Sequence, residues 1–300
     1  MLRRHKGVPV TIAAAGLMLG IIALPATTAA VAAPTPAWRN HVCHGTHRHP
    51  GELTGLNLTV FVRGVCLARH GPVSVSRNII VTRHSVLIAA FGRHNTHITV
   101  AGSILVRKGG TLILGCNPSS FPCLDDPHPK RPSLTSRDVV KGGIFGTAAL
   151  GMVVHNDRIG HTIRQTGGGG GANCKPKGPF KQFHSPAYSA YEDNWVGGSL
   201  RVKHVRSCWL GVIRNKVGHN ARVVFDKMAD PDANEVVTNL VQGNLTCFHN
   251  NPKVQFGDSH GMPNRVGRHA FLECSFQRVI PNPAGQHRHF SHISVHLRRT

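Results

Sequence analysis

Residues Thr238–Phe248 read TNLVQGNLTCF, and residues Asn215–Phe225 read NKVGHNARVVF. Both place an Asn two residues ahead of a Val, follow the Val with a spacer and a turn residue, and end in an alternating apolar run. Alternation over so few residues, bounded by turn residues, describes a short β-strand with one buried face.

The unit recurs. It starts at Val75, Val100, Val140, Ile159, Val196, Val217, Val241 and Val266, at intervals of 25, 40, 19, 37, 21, 24 and 25 residues. The two long intervals hold insertions: a loop between Cys116 and Cys123, and the segment TGGGGGANCKPKGPF from Thr166 to Phe180. A period of about 20 to 25 residues built from short strands predicts an all-β solenoid, a parallel β-helix whose coils bury their inward faces by stacking. A β-sandwich would also have short strands, but would not repeat the same residue types at one strand position eight times.

Two columns sharpen the prediction. Asp138, Asp157, Asn194, Asn215, Asn239 and Asn264 each stand two residues before a start. Stacked in a solenoid, they form a side-chain ladder of structural character, although Asn and Asp also suit turns for local reasons. Two residues after each start, the column reads Arg77, Gly102, Gly142, His161, Gly198, His219, Gly243 and Arg268. Gly there fits a left-handed corner. Arg and His require either a corner that does not demand positive φ or one that carries strain.

The stretch VFVRGVCLARHGPVSVSRNIIVTRHSVL resembles a family of secreted bacterial β-helix repeat proteins, as do YEDNWVGGSL, SCWLGVIRNKVGHN and ADPDANEVVTNLVQGNLTCF. The resemblance runs over most of Gly51–Cys274 and implies a single-stranded right-handed parallel β-helix of about eight or more coils with two loop insertions. It implies no catalytic residue. This chain departs from the pattern in writing Arg or His where the family usually writes Gly-Asn, and in its Arg/His-rich end.

Arg3, Arg4 and Lys6 precede the apolar run TIAAAGLMLGIIALPA, and small residues follow it. That order of charge, apolar core and small-residue exit predicts a cleaved secretory signal over residues 1–33. No later stretch is long and apolar enough to span a membrane. The expected layout continues with a His-rich segment over 34–50, the β-helix over 51–280, and a basic His/Arg-rich tail over 281–300.

All eight cysteines (Cys43, Cys66, Cys116, Cys123, Cys174, Cys208, Cys247 and Cys274) follow the signal. An even count in an exported chain predicts disulfides. Cys116 and Cys123 suit one short loop. Cys247 and Cys274 suit adjacent coils, and the remaining pairs are left to proximity.

Lys and Arg number 35 against 13 Asp and Glu, with 22 His besides, for a net charge of +22. Such a surface attracts polyanions. Outside a cell these are anionic wall polymers or acidic polysaccharides in preference to a specific nucleic acid. Arg77, His161, His219 and Arg268 are the candidate stripe for such a partner. The competing account is compositional: Arg and His scattered over a solvated surface.

The few acidic residues bound the other chemistry. Asp230, Asp232, Asn234 and Glu235 resemble the opening of a calcium loop, but Glu235 and Val241 occupy the positions where an EF-hand needs Gly and Glu. A looser calcium site or a polar turn remains. Asp125-Asp126, Glu192-Asp193 and the Asp230–Glu235 group are the clusters that could serve a polysaccharide lyase or glycoside hydrolase, the alternative to a non-catalytic envelope protein. The glycine run 167–171 lacks the context of a phosphate loop.

Overall fold

The computed structural model describes residues 38–257, 259 and 261–275. The expected signal and the basic tail lie outside them. Within them the chain is a parallel β-helix: short strands wind through three faces, and each strand pairs in parallel with its equivalents in the coils before and after.

On the first face all eight repeat starts stack in register. Val75 pairs with Val100, Val100 with Val140, Val140 with Ile159, and Ile159 with Val196. The series continues through Val217 and Val241 to Val266. On the second face Val60, Ile79, Ile104, Ile144, Ile163, Leu200, Ala221 and Leu245 form an equivalent inward column. Both columns are buried, save the partly buried Val266 at the end of the first, and meet Leu87, Leu112, Met152, Tyr191 and Val212 of the third face in one continuous core.

The first coil begins earlier than residue 51. Arg39–Gly45 pairs with Gly55–Leu67, and Cys43 lies in the core, bonded to Cys66. A strand constrains only its inward residues, so a His-rich outward face does not exclude Arg39–Gly45 from the solenoid.

The Asn/Asp column is a hydrogen-bonded ladder. The Oδ1 of Asn215 accepts from the Asn194 backbone N–H at 3.2 Å and from its Nδ2 at 3.0 Å. Asn239 does the same for Asn215 at 2.9 and 3.0 Å, and Asn264 for Asn239 at 2.9 Å on both bonds. Each Nδ2 also donates inward to a backbone carbonyl, Val154 for Asn194, Tyr191 for Asn215 and Val212 for Asn239. A second ladder stands at another corner. The Val205 N–H bonds Asp226 Oδ1, the Asp226 N–H bonds Asn250 Oδ1, and the Asn250 N–H bonds Glu273 Oε1.

The corner column differs from its simplest reading. Gly102, Gly142, Gly198 and Gly243 do not take positive φ, and neither do Arg77, His161, His219 and Arg268. Gly is needed at 102 for close approach, since a Cβ there would sit 2.3 Å from the Arg77 carbonyl oxygen of the preceding coil. Left-handed residues stand instead just ahead of the ladder positions: Asn156, Asp193, Arg214 and Thr238 before the first, His204, Phe225, His249 and Leu272 at the second corner.

The third face is covered from outside. Phe121 from the first insertion and Phe180 from the second pack on Ile88, Ile113 and Val153. Cys116–Cys123 closes the first insertion and Cys174–Cys208 ties the second to its neighbouring coil. Cys247–Cys274 joins the last two described coils.

Two ladder positions carry Asp where the geometry calls for an amide donor. In register, Oδ2 of Asp157 falls where Asn194 has Nδ2, opposite the Leu114 carbonyl; Oδ2 of Asp226 falls opposite the Val202 carbonyl. Both oxygens are buried without a partner. Burial raises the Asp157 carboxyl well above its ordinary value and the Asp226 carboxyl to about 7. A raised value means tighter proton binding in the fold, so the stability this gives is full below 3.8 and is lost as pH rises through about 7. His155 opposes the trend: burial lowers it to about 3, so its contribution is full above 6.5 and lost as pH falls. Asp157→Asn and Asp226→Asn supply the missing donor. Each is expected to stabilise the protein by about 1–3 kcal/mol at pH 8. In denaturant titrations the gain should vanish near pH 4.

Candidate functional site

With the third face buried, the outward residues of the first and second faces are the accessible surface of the coils. In a strand alternate residues face outward, and the register stacks them into rows along the solenoid axis. On the second face one row runs Val42, Phe61, Ile80, Leu105, Phe145, Arg164, Arg201 and Arg222. The row is apolar over its first five rungs and cationic over the next three. Arg164, Arg201 and Arg222 are exposed between buried neighbours. Adjacent strands lie about 4.8 Å apart, so three like charges stack at that interval.

The same three coils present a second row on the first face: Arg158, Trp195 and Lys216. The Arg158 guanidinium lies 4.7 Å from the centroid of the Trp195 ring, a cation–π contact. Trp195 is 44% exposed. Beside it opens a groove of about 520 Å³ lined in part by Arg137, Arg158, Asp193, Trp195, Arg214 and Lys216.

No carboxylate among the described residues forms an ion pair with these rows. Among the described residues the ion pairs are Arg69 with Glu52, and Arg214 with Glu192 and Asp193. Arg214 bonds Glu192 Oε2 at 2.8 Å and the two Asp193 oxygens at 2.7 and 3.0 Å. Arg158, Arg164, Arg201, Lys216 and Arg222 therefore keep their charge available to a ligand.

The Arg214 clamp separates two neighbouring carboxyls. Burial pushes Glu192 up to about 7 despite the nearby guanidinium. Burial acts on Asp193 too, but hydrogen bonds from Arg214, Ser120 and Asn117 hold it below its ordinary value. The other acidic clusters also hold loops. Asp125 accepts from the Gly92 and Arg93 N–H groups, and Asp126 from His128, Ser133 and Leu134.

The structure places the four residues of the sequence-derived stripe in one row without making any two of them adjacent. Arg77, His161, His219 and Arg268 are exposed in one hydrogen-bonded corner row, but Gly102 and Gly142 separate Arg77 from His161. His161 and His219 flank Gly198, beside the arginine row. The calcium candidates are also dispersed. Asp230 caps a turn through the Asp232 N–H, buried Asn234 donates to the Pro252 carbonyl, and Glu235 accepts from Trp209 Nε1 on the third face. Among the described residues no three His, Cys, Asp or Glu side chains are placed to hold a metal.

The arginine row was readable in the sequence. Arg164, Arg201 and Arg222 each stand five residues after a start, at Ile159, Val196 and Val217. Extending the repeat to outward positions would have found them. No family model, curated protein or solved structure matches the chain. What the fold and its surface define is a disulfide-bonded parallel β-helix with a cationic patch across three consecutive coils whose arginine row forms no ion pair among the described residues.

Arg214→Met should destabilise the protein by about 2 kcal/mol at pH 8 and by less at pH 5. Glu192 is largely ionised at the higher pH and needs the guanidinium, whereas at the lower pH it is protonated. Paired urea melts of the two proteins measure the difference.

Proposed function

We propose that the chain is an exported, non-catalytic β-helix that attaches to an anionic polymer of the cell envelope or extracellular matrix. The observation that supports it is the in-register row Arg164–Arg201–Arg222, facing outward with no carboxylate among the described residues to pair with. A row of stacked guanidinia is unfavourable by itself and gains most when a polyanion lies along it. Arg suits this role because its planar fork bonds carboxylate or phosphate through two parallel hydrogen bonds.

The setting agrees. Four disulfides fit an oxidising, extracellular compartment. No helix among the described residues is long and apolar enough to cross a membrane. The signal-like first residues supply the route out of the cytoplasm.

The test is retention on immobilised polyanion across a salt series. Wild-type retention should fall steadily as salt screens the row. Arg164→Gln/Arg201→Gln/Arg222→Gln should weaken binding at least about tenfold at 0.15 M salt, roughly half a kcal/mol or more per arginine. The control Arg77→Gln/Arg268→Gln removes two charges from the dispersed corner row and should change it less than about threefold. Equal losses in the two variants would contradict a localised face.

A further inference from the structure

We propose that the ligand of this face is a linear polyuronate, an acidic polysaccharide with a carboxylate on every sugar, lying parallel to the solenoid axis with one sugar per coil. This rests on the polyanion-binding reading above and adds the chemistry and the orientation of the partner.

The spacing carries the inference. Arg164, Arg201 and Arg222 are consecutive rungs of one parallel sheet, with Arg164 paired to Arg201 and Arg201 to Arg222. Their Cα atoms therefore repeat at about 4.8 Å, the interval between neighbouring strands. That is close to the length one pyranose ring and its bridging oxygen add to an extended chain. A polymer with one carboxylate per ring can thus present successive charges to successive arginines without drifting out of phase. One charged on every second ring meets only alternate rungs. A polyphosphate or phosphodiester chain repeats its charge at a different interval and loses register within a few units.

The geometry of each rung also accommodates a carboxylate. An exposed Arg on a strand offers a planar fork that a planar carboxylate fills with two parallel bonds. Trp195, in the same coil as Arg201, offers an exposed aromatic surface against which the apolar C–H face of a sugar can pack. Between Trp195 and Arg201 the corner is Gly197-Gly198, and the indole edge leans over it, 3.2 Å from where a Gly197 Cβ would stand, whereas the coils on either side carry His161 and His219 there. The middle coil thus sets an aromatic ring beside an arginine across a glycine corner, and the flanking coils add Arg158, Arg164, Lys216 and Arg222 above and below it.

The experiment measures binding of the full disulfide-bonded chain to size-defined oligouronates of two to six sugars. Parallel arms use a polysaccharide charged on alternate sugars, a methyl-esterified oligouronate and polyphosphate, all at matched charge concentration. Affinity should rise about tenfold from two to three sugars and then flatten. The alternately charged polymer and polyphosphate should bind at least about tenfold more weakly. Arg201→Lys keeps the charge but loses the fork, and should weaken binding of the three-sugar oligouronate about fivefold. Affinity that follows total charge regardless of spacing would overturn the polyuronate assignment and leave polyanion binding standing. Absence of binding to every polyanion would overturn both.

Discussion

The interaction on which the rest depends is the bond from a backbone N–H in one coil to a ladder side-chain oxygen in the next. Asn194, Asn215, Asn239 and Asn264 each occupy one fixed place in the coil. A parallel β-helix has little else to set its register, because its core columns are interchangeable Val, Ile and Leu. Slipping one strand by one residue would exchange its inward and outward faces. It would also leave buried amide groups without partners, at about 1–3 kcal/mol each. The ladder and the left-handed residue just before it hold each coil in phase. Everything at a fixed offset from the ladder then stacks, including residues that contribute nothing to the core.

The arginine row is a consequence of that phase. Two guanidinia at the strand interval repel by under about 1 kcal/mol in water, less once salt screens them. The buried columns beneath, Ile163, Leu200 and Ala221 on one side and Gln165, Val202 and Val223 on the other, hold the strands together against this. The apolar half of the same row shows what an uncharged stack looks like: Phe145 ends it and receives the Arg164 guanidinium at 5.4 Å. The fold is thus a ruler, and the outward residues are the marks placed on it.

Much of this was legible in the sequence. All eight repeat starts lie in register, and the Asn/Asp column forms the expected ladder because burial and hydrogen bonding restrict those positions to few residue types. The second ladder escaped notice because Asp226, Asn250 and Glu273 are three different residues, and in a single sequence no identity marks them as one column. The corner was half legible. Its glycines suggested positive φ, yet at Gly102 the need is for room beside the Arg77 carbonyl, and short-range chemistry does not distinguish the two. The cationic face was missed for another reason. Outward positions accept any polar residue, so Arg164, Arg201 and Arg222 look like scattered charge until the coil register aligns them. The first strand was hidden in the same way, by histidines at positions the core does not constrain.

The ladder acts as one coupled element. The direct test is a double-mutant cycle between Asn215 and Asn239, with unfolding free energies from reversible denaturation with the disulfides intact. The double Ala variant should lose less than the sum of the single losses by about 1 kcal/mol, because the side-chain bond they share is removed only once. Losses that add within about 0.3 kcal/mol would mean that the two residues act independently. The ladder would then not be what sets the register of the coils.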